Sequence, residues 1–283
     1  MKRKNITNVF IYAWLLLLAA FILFPLVYTV AASFKTNSEI LAHPDRIFPQ
    51  KPTFDNYIEA WNSPNFSIKT MLFNSIIFTV GSVAMTLFTS SVAGYVFARG
   101  CFPGKNIIFT VFCALLFVNL GSITMYPYFE VVDFLGIDKS LYTLLFIRMF
   151  GIPVANVYLV KSFISTGVPN EIYDAAAIDG AGFVRTFVSV ILPMLVPILA
   201  TITILSFQGS WNEYMSPMIW TMSKPEQRTL IVGVVALKSS DQAATAWNLM
   251  LAGSTVALIP VLVVYAFCSK YFILGISAGA VKG

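Results

Sequence analysis

Apolar residues along this chain come in long unbroken runs, with neither the stripe of a soluble helix nor the alternation of a half-buried strand. Six runs stand out, at about residues 9–32, 71–98, 107–125, 141–164, 187–209 and 250–272. Each approaches or exceeds the roughly 20 residues that one helical bilayer crossing needs. The pattern predicts an all-α integral membrane protein with six spans forming a single transmembrane domain over 1–283. The intervals read as extramembrane. A polar stretch, about Ser33 to Lys69, carries Pro44, Pro49, Pro52 and Pro64 and is predicted to hold short local helices at most. Tyr126 to Ser140 reads as a wet linker, and Trp211 to Leu249 as a long external connection between the last two spans.

Individual runs differ in character. The first follows Lys2, Arg3 and Lys4 as a signal peptide would, but its length, with Trp14 and Pro25 inside it, predicts an uncleaved helix. The second is rich in small residues, among them Gly81, Ser82, Ser90, Ala93 and Gly94, which in a bilayer predicts a helix packed among other helices. The fifth contains Pro193 and Pro197, four residues apart, which predict a kink.

Composition sharpens this picture by exclusion. The chain is 58% hydrophobic and 11% charged, too apolar for an ordinary soluble surface. Its net charge of +5 suits an anionic membrane lipid surface, and no nucleic-acid partner is expected. Cys101, Cys113 and Cys268 are scattered, and His43 is the sole histidine, so no zinc site, disulfide framework or histidine-based catalytic machinery is indicated. The 18 Lys and Arg divide nine to nine between the two faces that six spans would create. The cluster Lys2, Arg3 and Lys4 abuts the first span, where the positive-inside rule weighs most, and places both termini in the cytoplasm.

Few groups within the spans carry chemistry. Arg148 is the one cation well inside an apolar run; snorkelling to the interface is the favoured reading, with a pathway role beside it. Trp211, Asn212 and Glu213, just past the fifth run, are the other pathway candidates. Trp61, Trp211, Trp220 and Trp247 are expected in an aromatic belt at the headgroups, and Lys161 as an interfacial anchor.

The segment 168–182 between the fourth and fifth runs reads as a short surface helix. Asn170 suits an N-cap, Glu171 and Asp174 put negative charge near the helix start, Ala175 to Ala177 favour helix, and Gly180 and Gly182 can end it. Ile172, Ala175, Ala176 and Ile178 would offer apolar contacts to a groove on a soluble partner. The competing reading, an amphipathic linker on lipid headgroups, suits a basic helix better than this acidic one.

These residues carry a resemblance. Asp174-Ala175-Ala176, Gly180 four residues on, Val190 ten further, and Leu192-Pro193 resemble the E-A-A-x3-G-x9-I-x-L-P signature of type I ABC importer permeases. Asn74-Ser75, the stretch Ala93 to Arg99, Trp211 to Tyr214 with Pro217, Ile259-Pro260 and the tail Ser277 to Gly283 match the sugar-importing branch in order and spacing. The chain is similar to the second permease subunit of maltose-type importers from about residue 70 onward. Two positions depart: Asp174 stands where the family usually has Glu, and Val190 where it has Ile.

The resemblance implies a coupling helix seated in an ATPase subunit, with Glu171, Asp174, Ala175, Ala176, Asp179, Gly180, Arg185 and Pro193 as its ATPase-coupling residues. It implies a sister permease, two ABC ATPase subunits and an extracytoplasmic binding protein as partners, in a bacterial cytoplasmic membrane. Lys238, Ser239, Ser240, Asp241 and Gln242 would lie near the tip of a loop that meets the binding protein. No cofactor is expected in this chain, since no phosphate-binding loop occurs: Gly104-Lys105 has Arg99 where the motif needs glycine. ATP and Mg would belong to the ATPase. The expected function is import of an oligosaccharide or related carbohydrate. The same machine carrying a glycerophosphodiester or polyol stays open, as does an ion-coupled secondary transporter.

Overall fold

The computed structural model describes residues 2–64, 66–118, 121–238 and 245–280, with the side chains of 2–7, 122, 124 and 268–280 not among those described. Every regular element among the described residues is a helix. Helix α1 (Lys2–Ala32) is apolar on all sides, and residues 8–27 are exposed throughout, a surface that calls for lipid or a partner. Helices α2 (Asn37–Ala42) and α3 (Asp55–Asn62) follow, then α4 (Ile68–Arg99), the second long apolar helix.

The third and fourth apolar runs are not single helices. Helix α5 (Lys105–Leu115) stops, a tight 3-10 turn (Gly121–Thr124) intervenes, and α6 (Met125–Phe134) continues into what the sequence pattern presented as a linker. Gly121, at φ 54°, takes a backbone conformation that interrupts a right-handed helix. The fourth run divides into α7 (Leu141–Arg148) and α8 (Val154–Gly167), separated by Met149–Pro153. Pro153 lacks an amide hydrogen and disfavours helical backbone in Ile152 before it.

Helix α9 (Asn170–Ile178) leads to α10 (Phe183–Thr186), which runs through a π-helical turn (Phe187–Ile191) into α11 (Leu192–Met194). The chain then bends by 74° into α12 (Val196–Trp211). The bend sits at Leu195, between the two prolines that predict it; the ring of Pro197 would clash with the carbonyl four residues back, at Pro193. Helices α13 (Met215–Trp220), α14 (Leu230–Ala236) and α15 (Trp247–Ala280) complete the described chain. Among the described residues three stretches, Asn8–Ala32, Ile68–Arg99 and Trp247–Phe267, are long and apolar enough to cross a membrane, and there are four when the bent pair 183–211 is counted as one span.

The chain forms two compact units. One comprises Met1–Leu72 and Leu230–Pro260. Its core gathers Ala60, Phe66, Ile68, Met71, Leu230, Val234 and Leu249. The polar segment 33–69 is folded into this unit by buried amides. Asn56 Nδ2 donates to the carbonyls of Ser33 at 2.7 Å and Lys35 at 2.8 Å, while its Oδ1 accepts from Asn248 Nδ2 at 2.9 Å. A Cβ on Gly233 would lie 2.1 Å from Met71 Sδ, so glycine is what lets α14 approach the start of α4.

The other unit comprises Phe73–Thr229 and Val261–Gly283. One of its cores holds Tyr95, Val160, Ile164, Val168, Ile191, Leu195 and Ile202; a second holds Phe78, Val132, Leu141, Leu144 and Trp220. Trp211 and Trp220, expected at the headgroups, are 4% and 1% exposed. Trp211 stacks on Phe207 and Trp220 packs on Phe129, with ring centroids 5.7 and 5.0 Å apart, because each lies on the buried face of its helix.

Candidate functional site

Two places in the second unit bring chemically committed side chains together. The first is α9 and its attachment. Its C-terminus is closed by a paired hydrogen-bond motif: Ala181 N–H donates to Ala176 O at 2.9 Å and Gly180 N–H to Ala177 O at 3.0 Å. That closure requires a left-handed residue, and Gly180 sits at φ 73°. A Cβ on Gly180 would find no atom of the described residues within 4 Å, so the surface beside it is open among them.

The start of α9 departs from the sequence reading. Asn170 is the first helical residue and not the cap, a position taken by Pro169. Its side chain is engaged elsewhere, Oδ1 accepting from Arg99 Nη1 at 2.8 Å. The Arg99 guanidinium lies 3.8 Å from the Tyr173 ring centroid, and Nη2 reaches Val168 O at 3.4 Å. The last residue of α4 therefore clasps the first turn of α9. One turn earlier, Tyr95 packs against Phe183 and Phe187, centroids 4.5 and 4.9 Å away, and its hydroxyl donates to Phe183 O at 3.2 Å. Gly94, next to it, lets α4 approach α8 closely, since a Cβ there would meet Val160 at 2.5 Å.

The faces of α9 also differ from expectation. Ala176 is 7% exposed and Ile172 packs into the unit's own core, so both hold α9 to its chain and not to a partner. The outward face carries Glu171, Asp174, Ala175, Ile178, Asp179 and Gly180, with Ile178 87% exposed. Arg185 and Pro193 are exposed beyond it.

The second place surrounds the break between α7 and α8. Arg148 closes α7, and its Nη2 forms an ion pair with Glu213 Oε2. Nη1 donates to Ser82 Oγ at 3.3 Å, and the guanidinium stands 4.7 Å from the Phe78 ring centroid. Glu213 Oε1 accepts from Ser216 Oγ. The two charged side chains are only 27% and 23% exposed. Arg148 is thus held inward by α4 and the α12–α13 connection, against the snorkelling geometry expected of it. Beside this pair lies a cavity of about 310 Å³, walled by Arg148, Gly151, Ile152, Ser216, Tyr128 and Trp220 among others.

Other expected positions stand apart. Asn212 is exposed and donates to Gln208 O at 3.0 Å within its own helix end, and Trp211 lines no wall of the cavity. Lys161 Nζ lies over the Phe109 ring at 4.1 Å. Lys238 is exposed after α14, whereas Ser239, Ser240, Asp241 and Gln242 lie outside the described residues. The clasp residues Tyr95, Arg99 and Tyr173 and the cavity residues Tyr128 and Ser216 were absent from the sequence-based candidates. Only the match of Ala93 to Arg99 to a family stretch pointed at any of them, namely Tyr95 and Arg99.

Several known proteins resemble this chain along nearly its full length. The arabinooligosaccharide transport permease AraQ of Bacillus subtilis is 32% identical over 271 residues, covering 95% of this chain and 93% of its own. The galactooligosaccharide transport permease GanQ of the same organism is 29% identical over 283 residues, covering 99% and 98%. In a crystal structure of a bacterial ABC transporter that imports the acidic polysaccharide alginate, one chain matches with a TM-score of 0.81 at 22% identity, over 96% of this chain and 98% of that one, which is a likeness of fold. No family model matches the chain. With 32% identity to a permease over almost the whole of both chains, it belongs to the carbohydrate ABC transporter permeases.

Proposed function

We propose that this chain is one of two permease subunits of an ATP-driven importer for an oligosaccharide delivered by an extracytoplasmic binding protein. The observation that carries the reading is α9: a short helix closed by Gly180, fastened by Arg99 to the end of α4, with its acids and Ile178 turned outward. Such a helix is both exposed enough to seat in a partner's cleft and tied firmly enough to pull on a long apolar helix. The 74° bend at Leu195 lies directly downstream and supports a lever between α9 and α12.

On this reading ATP and Mg are held by two ATPase subunits, whose closure moves α9 and its counterpart on the sister permease. The membrane helices then exchange between inward- and outward-facing packings as rigid bodies. Two further crossings are the broken pairs α5 with α6 and α7 with α8, giving six in all with the bent 183–211 span, and both termini in the cytoplasm of a bacterial cell. An oligosaccharide as the solute is supported by the names of relatives, which carry arabinooligosaccharides, galactooligosaccharides, and melibiose, raffinose or stachyose.

The test begins with a C-terminal tag, gentle solubilisation and mass spectrometry of what co-purifies. An ABC ATPase and a second permease in the eluate are expected; a chain that purifies alone overturns the assignment. In the purified complex, Gly180→Arg places a long side chain in the open space beside α9 and is expected to abolish uptake while leaving membrane insertion intact. Undiminished uptake in that variant would sink the coupling role of α9.

A further inference from the structure

We infer that the cavity at the break between α7 and α8 is a saccharide subsite within this subunit, built for an uncharged sugar unit; the inference rests on the importer reading above. Three independent features meet there.

First, the chain is non-helical from Met149 to Pro153, between two segments of one apolar run. Backbone groups freed from a helix inside an apolar run must be met by other protein or by a polar cavity. Gly151, Ile152 and Pro153 of the break line the cavity themselves. Second, a charged side chain with spare donors forms part of the wall. The Arg148 guanidinium carries five N–H groups, of which Ser82 and Glu213 take two. Third, the wall is aromatic as well as polar. Tyr128 is 43% exposed, and Trp220, 1% exposed, has its indole N–H without an acceptor among the described residues. An unmet buried donor is costly, and a hydroxyl-bearing ligand supplies acceptors.

The charge arithmetic selects the ligand. Arg148 and Glu213 neutralise each other, so the wall presents hydrogen-bonding groups without net charge. A sugar carboxylate would bring a second negative charge beside Glu213 with no further cation to answer it, whereas the hydroxyls of a neutral pyranose or furanose add to the existing bonds. The apolar face of such a ring suits Tyr128. At about 310 Å³ the space lies at the small end of ligand pockets, which favours a terminal sugar unit over a whole oligosaccharide.

The test uses the whole complex with its binding protein in proteoliposomes, with raffinose, arabinotriose and diacetylchitobiose as probes, and reads the saccharide imported per ATP hydrolysed. For the probe that the unaltered complex carries, Tyr128→Ala is expected to lower this ratio at least tenfold, and Tyr128→Phe, which keeps the ring, to restore it. Ile152→Trp, which fills the cavity from its other side, should lower it likewise. A ratio within twofold of the unaltered complex in both Tyr128→Ala and Ile152→Trp overturns the subsite, even if import and hydrolysis fall together, since that pattern marks a structural role. Failure of the unaltered complex to import any probe with ATP overturns the importer reading itself, and the subsite with it.

Discussion

Arg99 and Arg148 each end a helix, and each lays its guanidinium on an aromatic ring, Arg99 at 3.8 Å from Tyr173 and Arg148 at 4.7 Å from Phe78. They differ in what answers the charge. Among the described residues Arg99 meets only neutral partners, Asn170 Oδ1 and Val168 O, while Arg148 is paired with Glu213. Arg99 is half-buried, with its Nε buried and unpartnered among the described residues, but its bond to Asn170 lies at the surface, where part of its charge stays in contact with water while it serves as a clasp. An arginine drawn into an apolar run must be neutralised, because an unpaired charge there costs several kcal/mol. The same side chain thus fastens one helix to another at the end of α4 and sets up a polar pocket at the break after α7.

The largest effect should come from breaking the pair. Arg148→Ala leaves Glu213 uncompensated, and Glu213→Ala does the same to Arg148. Removing one partner of a fully buried pair costs about 3–5 kcal/mol. With roughly a quarter of each side chain still exposed, the loss here should fall somewhat short of that and reduce transport more than tenfold. The double variant Arg148→Gln with Glu213→Gln should recover part of the loss. If the double variant is as impaired as the sum of the singles, the two side chains act independently and the comparison with Arg99 loses its basis.

Next is Gly180, whose φ of 73° costs a residue with a Cβ roughly 1–2 kcal/mol. Gly180→Ala meets no atom of the described residues, so its effect separates strain from a clash with a partner. A modest loss of stability in the free chain with a much larger loss of ATP-driven uptake in the complex is expected. Equal losses would place the whole effect in the turn and leave the surface beside it without a role.

The two arginine sites also show what a sequence discloses. The α9 end was readable because its determinants are local: Glu171 at the start, three alanines, then a glycine at the helix stop, all within about a dozen residues. The bend at Leu195 was readable for the same reason, since both prolines that bracket it lie within four residues. The pocket was not. Its members come from α4, α6, α7, α13 and the α12–α13 connection, and nothing in the spacing of Ser82, Arg148 and Glu213 announces that they meet. Hydropathy also hid the breaks at Gly121 and before Pro153, because apolar residues continue through them. Asn170 was misassigned for a related reason: a capping residue is recognised locally, but Arg99 claims its side chain from 71 positions away.

A smaller effect tests whether the clasp depends on the planar guanidinium. Arg99→Lys keeps the charge but loses the fork that reaches Asn170 and Val168 together and the flat contact with Tyr173. A loss of about 1–2 kcal/mol, seen in denaturant unfolding of the purified chain, is expected from one hydrogen bond and part of a cation–π contact. ATP-driven uptake should fall several-fold, because α9 would be held less firmly to α4. Lysine behaving as arginine does would show that charge alone holds the clasp.

The smallest effect lies within that clasp. Tyr173 offers Arg99 its ring, but its hydroxyl is buried without a hydrogen-bond partner among the described residues. Tyr173→Phe keeps the ring and removes a hydroxyl whose burial brings no return, so the free chain should be unchanged or slightly more stable, by up to about 1 kcal/mol. Clear destabilisation of the free chain would mean that the hydroxyl is bonded within it after all. Measured in the complex with its ATPase, the same substitution asks a different question. A loss of uptake there, with none of stability in the free chain, would place the hydroxyl against the ATPase and extend the contact surface of α9 from its outward acids to the ring that Arg99 holds.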